Sequence, residues 1–291
     1  MQTLSSEVVR KIKEIEMHTR RLLSGCLAGD ARSAQKGIGF EFDQLREYQP
    51  GDDVRFIDWR GSARANTLLV KQYIEERSRT VLIAVDVSGS SFFSSDELLR
   101  NELFNQIASM LSLVAHYGKD RVGLILFSDH VECYLPPATG LLHARTIMQT
   151  LFAHKPSGRQ TNINVALERI LKVRRKDSVV FLLSDFISTH FERTLKSVAL
   201  LNELIVVRYV DVNEKKLPAV GFMTVEDIET GSSYLIDMRD KGAAVLNQFL
   251  SKRLEDQNTL FRKYGIEVLD VAGNKQFVSD IVKFFRRRMR Y

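Results

Sequence analysis

The residues of this chain best suited to chemistry are oxygen donors at the ends of apolar runs. Asp86-Val87-Ser88-Gly89-Ser90 follows the aliphatic stretch Val81 to Val85, and Ser184-Asp185-Phe186 follows Val179 to Leu183. Thr161 sits in the short polar loop Gly158-Arg159-Gln160-Thr161-Asn162. Apolar runs of this length and β-branched content read as parallel strands buried on both faces, and ligands collect at the carboxyl ends of such strands. Two carboxylates, Asp86 and Asp185, with three hydroxyls, Ser88, Ser90 and Thr161, make an all-oxygen set on one rim. Hard cations such as Mg²⁺ prefer that set. Left alone, the carboxylates would repel each other; a cation removes that cost and fixes the hydroxyls. With only two acidic groups, the ion would keep an exchangeable position for a partner's carboxylate. Taken singly, Ser90 or Asp185 reads better as a helix cap.

Other chemistries lack their residues. Ser88 and Ser90 have Asp86 and Ser88 two places before them, not the glycine of a nucleophile elbow. The histidines, His18, His116, His130, His143, His154 and His190, contain no His-Glu-x-x-His zinc pattern. Asp86-Val87-Ser88 has no second aspartate to act as the general acid of a phosphoaspartate hydrolase. Gly118-Lys119 is followed by Asp120, and Gly37-Ile38-Gly39 by Phe42 where a third phosphate-loop glycine would stand. The chain is therefore expected to have no catalytic activity or nucleotide site of its own.

The elements that must position these donors follow from hydrophobic period. Ser5 to Leu27 reads as an amphipathic opening helix, Phe40 to Tyr48 as ordered but irregular, and Pro50-Gly51-Asp52-Asp53 as a turn. In the dense stretch Val54 to Glu76, the interleaved Arg46, Asp53, Arg55, Asp58 and Arg64 are expected to pair with one another, and Trp59 to be a buried anchor. From Thr80 the chain alternates strand and helix. Strands are predicted at 81–87, 122–127, 131–135, 178–183, 204–210 and 266–271. Helices are predicted at 96–117, opened by a capping box from Ser94 to Glu97, and at 141–152, 163–173, 191–201 and 241–264, with a terminal helix to about 289. That rhythm predicts an α/β fold, a doubly wound and mainly parallel sheet with helices on both faces. A β-hairpin at about 222–238 is expected near the sheet's edge. The domain division expected is 1–79 for an N-terminal module and 80–291 for the α/β domain.

Composition fits a cytoplasmic protein. Cys26 and Cys133 are too few for a disulfide framework and suit a reducing compartment. The first twenty residues interleave Glu7, Glu14 and Glu16 with Arg10, Lys11 and Lys13, unlike a signal peptide, and the apolar runs are far short of the roughly 20 residues of a membrane helix. A net charge of +6 is dispersed, densest at Arg174-Arg175-Lys176 and at Arg286-Arg287-Arg288 with Arg290. No nucleic acid is expected, and a peripheral contact of the tail with an acidic membrane surface stays open.

The order Asp86, Ser88, Ser90, then Thr161, then Asp185 resembles the metal-ion-dependent adhesion site of the von Willebrand factor A superfamily, over Thr80 to Val271. Upstream, Gly37-Ile38-Gly39-Phe40-Glu41-Phe42, Leu45-Arg46-Glu47-Tyr48, Pro50-Gly51-Asp52-Asp53-Val54-Arg55, Ile57-Asp58-Trp59, Ala63-Arg64, Val70-Lys71 and Glu75-Glu76 look like the signature of the domain of unknown function 58 family, which joins such a module to an A-like domain. The resemblance implies an A-like fold and Mg²⁺, or Mn²⁺ or Ca²⁺, at those five residues. It also implies a bacterial-type accessory protein that works beside a MoxR-type AAA+ ATPase on an unidentified client, in protein maturation, assembly or metal insertion. Two positions depart from the pattern. Gln160 stands where a glycine commonly precedes the threonine, and Ser91 replaces the usual apolar residue after the second serine; Phe92-Phe93 follow, serving either core or interface. The rival readings are a hydrolase of unknown substrate and a basic protein binding nucleic acid or a membrane surface.

Overall fold

The computed structural model describes residues 10, 12–17, 19, 40–75, 79–89, 99–158, 160–173, 178–188, 190–210, 221–226, 233–237, 239, 241–272 and 277–288. Ser90, Phe92, Phe93, the 94–97 capping box and the basic run 174–176 lie outside the described residues. The chain divides into two compact units, Leu27–Ser78 and a larger one of Met1–Cys26 with Arg79–Tyr291.

In the smaller unit, β1 (Phe40–Glu47) and β2 (Leu69–Glu75) form an antiparallel pair, with α1 (Trp59–Ala65) between them in sequence. Phe40–Glu47 is thus a strand where the sequence reads as irregular. A register shift between Phe42 and Gln44 places a bulge in it, which breaks the two-residue alternation that marks a strand. The Pro50-Gly51 turn forms as expected: Asp52 N donates to Gln49 O at 3.0 Å, and Gly51 takes a φ of 110° that side chains resist. Asp52 accepts two bonds from the Arg46 guanidinium, at 2.7 and 2.6 Å, and Asp53 pairs with Arg55 at 2.6 Å. Arg46, Asp53 and Arg55 therefore find partners within a few residues. Trp59 is not a buried anchor. It opens α1 at 67% exposure, while Ile57 and Val70, bridged across the strands, take the buried places.

The larger unit holds β3 (Thr80–Asp86), α2 (Arg100–Tyr117), β4 (Arg121–Phe127), β5 (Val131–Ala138), α3 (Leu141–Ala153), α4 (Ile163–Val173), β6 (Ser178–Ser184), α5 (Glu192–Leu201), β7 (Glu203–Tyr209), β8 (Phe222–Glu226), β9 (Ser233–Asp237), α6 (Lys241–Lys263), β10 (Glu267–Val271) and α7 (Phe277–Arg288). Six strands pair in the order β10-β7-β6-β3-β4-β5, all parallel except the β4–β5 pair. The chain winds outward from β3 through β4 to β5, then returns to β6 and winds the other way. The expected doubly wound α/β sheet is therefore present, and its strand order reverses between β3 and β6. Edge strand β5 carries Pro136 and Pro137, which a central strand would not tolerate. β8 and β9 form a two-stranded sheet of their own.

Alternation along β3 divides the core. Val81, Ile83 and Val85 pack with Leu103, Phe104 and Ile107 of α2 and with Phe277, Ile281 and Phe284 of α7. Leu82 and Ala84 pack on the opposite side with Ala166, Leu167 and Ile170 of α4, Leu195 and Val198 of α5, and Phe261 of α6. A strand covered on both faces cannot show polar alternation, so β3 and β6 read as continuous apolar runs. Residues 12–17 are helical, and Ile12 is buried with Leu113, Ala144 and Met148 while Glu16 meets Arg145 at 2.7 Å. This seat joins residues 1–26 to the larger unit, a division that runs differently from the 1–79 and 80–291 boundary expected from sequence. No helix among the described residues is long and apolar enough to cross a membrane.

One buried cation ties α6 to the sheet. Arg208 on β7 is 2% exposed and reaches Asp270 on β10 at 2.8 and 3.1 Å, Gln257 at 2.9 Å and Asn258 at 2.8 Å. An Arg208→Met variant keeps the stem's packing but strands those acceptors. It should lose about 2 kcal/mol, the scale of hydrogen bonds to a charged group, read as a lower urea midpoint; an unchanged midpoint would show the network to be dispensable.

Candidate metal centre

Asp86 ends β3 and Asp185 follows the last residue of its neighbour β6, so both carboxylates stand where the strand order reverses. Crevices of doubly wound sheets open at that point. Both residues are buried, at 1% and 6% exposure. Asp86 Oδ1 accepts from Ser88 N at 3.0 Å, and its Oδ2 accepts from Ser184 Oγ at 2.8 Å. Burial, and then the negative charge of Asp185, push the Asp86 carboxyl well above its ordinary range, to about 7. The hydrogen bonds from Ser88 and Ser184 pull the other way.

Thr161 arrives from the loop before α4, and its Oγ1 donates to Ser88 Oγ at 2.7 Å. The loop is held from below. Asn162 N donates to Ser128 O at 2.9 Å, and Ser157 N and Gly158 N donate to the buried Glu132 carboxylate at 3.0 and 3.1 Å. His154 Nε2 lies 2.7 Å from the same carboxylate. A Cβ at Gly158 would stand 2.2 Å from Ser128 Oγ and 2.7 Å from Ser128 Cβ. The close approach that needs a glycine thus falls at 158, and Gln160 before the threonine does not keep Thr161 from the rim.

The third loop turns sharply. Phe186 adopts a left-handed φ of 57°, unusual for a bulky side chain. Its ring meets Phe191 and Phe261 edge-on at 5.7 and 5.1 Å, its N–H donates to Ser184 Oγ at 3.1 Å, and its carbonyl accepts from Gln257 at 3.1 Å. These contacts fix a conformation the backbone alone would avoid, and so aim Asp185 at the rim.

The structure brings together Asp86, Ser88, Thr161 and Asp185; the fifth expected donor, Ser90, lies outside the described residues. Among the described residues no group of three or more His, Cys, Asp or Glu side chains gathers as a metal site. A cation at this rim would thus rest on two carboxylates and on hydroxyls, a donor set that fits a hard ion. Sequence reasoning missed two residues. Ser184 bridges Asp86 and the Phe186 turn, and its only signal was adjacency to Asp185. Arg100, 6% exposed, donates from Nη1 to Asp185 Oδ2. Its signal was an arginine on the first turn of a helix, where the dipole disfavours a cation unless a carboxylate faces it.

The family model described as "Protein of unknown function DUF58" matches residues 44–258. An uncharacterised protein of Mycobacterium tuberculosis is 27% identical over 286 residues, 96% of this chain and 89% of that protein. Two solved structures are distantly similar. The conserved hypothetical protein BatB of Bacteroides thetaiotaomicron has a TM-score of 0.48 at 16% identity, covering 74% of this chain and all of that one. The SpRpn10 VWA domain has a TM-score of 0.41 at 10% identity, covering 71% of this chain and 94% of that one.

The raised Asp86 carboxyl sets a sign for pH. Its folded value lies above the unfolded carboxylate value of about 3.9, so the native state binds the proton more tightly. The contribution of Asp86 to stability is therefore greatest at low pH and falls as pH rises through the interval up to about 7. In chelator, Asp86→Asn should abolish this slope and melt higher than the native chain at pH 8, with the two converging as pH falls toward about 4. Parallel melting curves across that range would overturn the assignment.

Proposed function

The chain belongs to the DUF58 family, and we propose that it is a metal-dependent protein-binding factor in which Asp86, Ser88, Thr161 and Asp185, with Ser90, hold Mg²⁺ or Mn²⁺ for a partner's carboxylate. The observation that carries this reading is the meeting of Thr161 Oγ1 with Ser88 Oγ at 2.7 Å above the buried Asp86. Three loops distant in sequence converge on oxygen donors at the point where the sheet order reverses. An ion there has residual positive charge, and a rim position leaves one coordination place for an outside ligand. The partner we infer is a MoxR-type AAA+ ATPase, or the client it acts on in protein maturation, assembly or metal insertion. That inference draws on the family resemblance rather than on any surface. A reducing, cytoplasmic setting suits a chain with two cysteines, of which Cys133 is free.

A hydrolase is the second reading, and one contact chain favours it. Asp129 Oδ1 lies 2.5 Å from His130 Nδ1, and His130 Nε2 lies 3.2 Å from Ser157 Oγ. That is the order of an acid, a base and a nucleophile. Against it, the amides of Ser157 and Gly158, which would have to stabilise an oxyanion, are spent on Glu132. We therefore infer no esterase activity for the chain.

Two experiments test these readings. Calorimetry with Mn²⁺ should show one site in the native chain, weakened about a hundredfold by Asp86→Ala and about tenfold by Thr161→Ala, in the range that ligand and supporting losses cost metal sites. Capture of the ATPase or client should fall with chelator and with Asp86→Ala in parallel; capture indifferent to both would sink the metal-bridge reading. Purified protein should be inert toward generic esters, and turnover lost on Ser157→Ala would establish the hydrolase instead.

A further inference from the structure

Arg100 is a feature of the rim that the proposed function leaves unused. Its guanidinium is buried on the first turn of α2, donates to Asp185 Oδ2 and lies over the Tyr209 ring at 4.7 Å, and its Nε has no hydrogen-bond partner among the described residues. Asp185 Oδ1 accepts from Ile187 N at 3.0 Å. Both oxygens of Asp185 are thus engaged, one by a backbone amide that fixes the third loop and the other by a fixed positive charge. A cation shared by Asp86 and Asp185 would meet the guanidinium's like charge at short range, and the two positive groups would compete for the Asp185 carboxylate.

Resting on the reading of the rim as a cation site, we propose that Arg100 is a built-in rival of the divalent cation for Asp185. Filling the site and breaking the Arg100–Asp185 pair are then one event. In the unfilled site the guanidinium neutralises a carboxylate that would otherwise be buried and unpaired, an arrangement that is costly to leave. With an ion held at the rim, Asp185 would release the guanidinium. The guanidinium keeps the Tyr209 face, where a planar cation is held by the ring's quadrupole. The rival sets a threshold: the ion binds less tightly than two free carboxylates would allow. A partner carboxylate that adds to the ion's ligands tips the exchange, so ion and partner enter together.

The test is Mn²⁺ binding to the full chain, followed by electron paramagnetic resonance of the free ion, in the native protein and in Arg100→Met. The inference expects the variant to bind at least tenfold more tightly, and to show a larger rise in melting temperature on adding Mn²⁺, although its melting temperature in chelator is lower. Equal or weaker binding in a variant with a native circular dichroism spectrum would overturn it, since a merely structural arginine would cost stability without tightening the ion. Because Arg100→Met strands a buried charge, a second measurement uses the native chain alone. Arginine-selective nuclear magnetic resonance, with the Arg100 signal assigned by its loss in Arg100→Lys, should show the guanidinium protons leaving their hydrogen-bonded position as Mg²⁺ saturates the site; an unmoved signal at saturation would also overturn it. If the native chain and both variants bind no Mn²⁺ or Mg²⁺ at all, it is the cation reading that fails, an outcome distinct from a native chain that binds and a variant that binds no better.

Discussion

Asp86 and Asp185 repel one another from the ends of adjacent strands, and the carboxyl rim is arranged around that repulsion. The doubly wound sheet brings them together because β3 and β6 are neighbours at the point where the winding reverses. Burial then removes the water that would screen them. Ser184 and the Ser88 amide each give Asp86 a proton donor, and Arg100 gives Asp185 a charge. The hydroxyls of Ser88 and Thr161, the left-handed turn at Phe186 and the buried arginine at the start of α2 are each intelligible as consequences of placing two acids at one crevice.

The second loop shows how much support such a rim requires. Thr161 contributes a single hydroxyl, yet behind it stand Glu132, His154, Ser128 and the absent side chain of Gly158. Glu132 accepts two amides from the loop and pairs with His154, so a carboxylate that looks like a catalytic group is consumed in holding backbone. Hydrogen bonds to a buried carboxylate are strong and directional, and this one aligns the segment leading to Thr161. On the third loop, Phe186 does the same work with ring edges.

Most of the sheet was legible in the sequence because its strands are buried on both faces. Uninterrupted runs such as Val81 to Val85 and Val179 to Leu183 have the length and β-branched content of strands. Helices α4, α5 and α6 begin and end within a residue or so of their periodic pattern. The places of Asp86, Ser88 and Asp185 were legible for the same reason, since polar residues that end apolar strands announce a rim; Thr161 stands in the loop before α4. What escaped was long-range or locally disguised. The bulge after Phe42 hid β1, and nothing local told that Ile57 and not Trp59 would be covered. Arg100 and Asp185 are far apart in the chain, so their pairing depends on the sheet order and not on any spacing. The seat of residues 12–17 on α2 and α3 is likewise a tertiary fact; the amphipathic pattern gave the helix but not its destination.

That seat bears on how the molecule can be cut. A truncation beginning at Arg79 looks natural, because the sheet starts there and the smaller unit is left behind. It would also remove the apolar plug at Ile12 and leave Leu113, Ala144 and Met148 facing solvent as a sticky patch on an otherwise intact fold. Aggregation of such a fragment would then say nothing about the role of residues 27–78. A deletion of that middle segment alone, with residues 1–26 spliced back onto Arg79 through a flexible linker, is the division that respects the covalent order and the packing together.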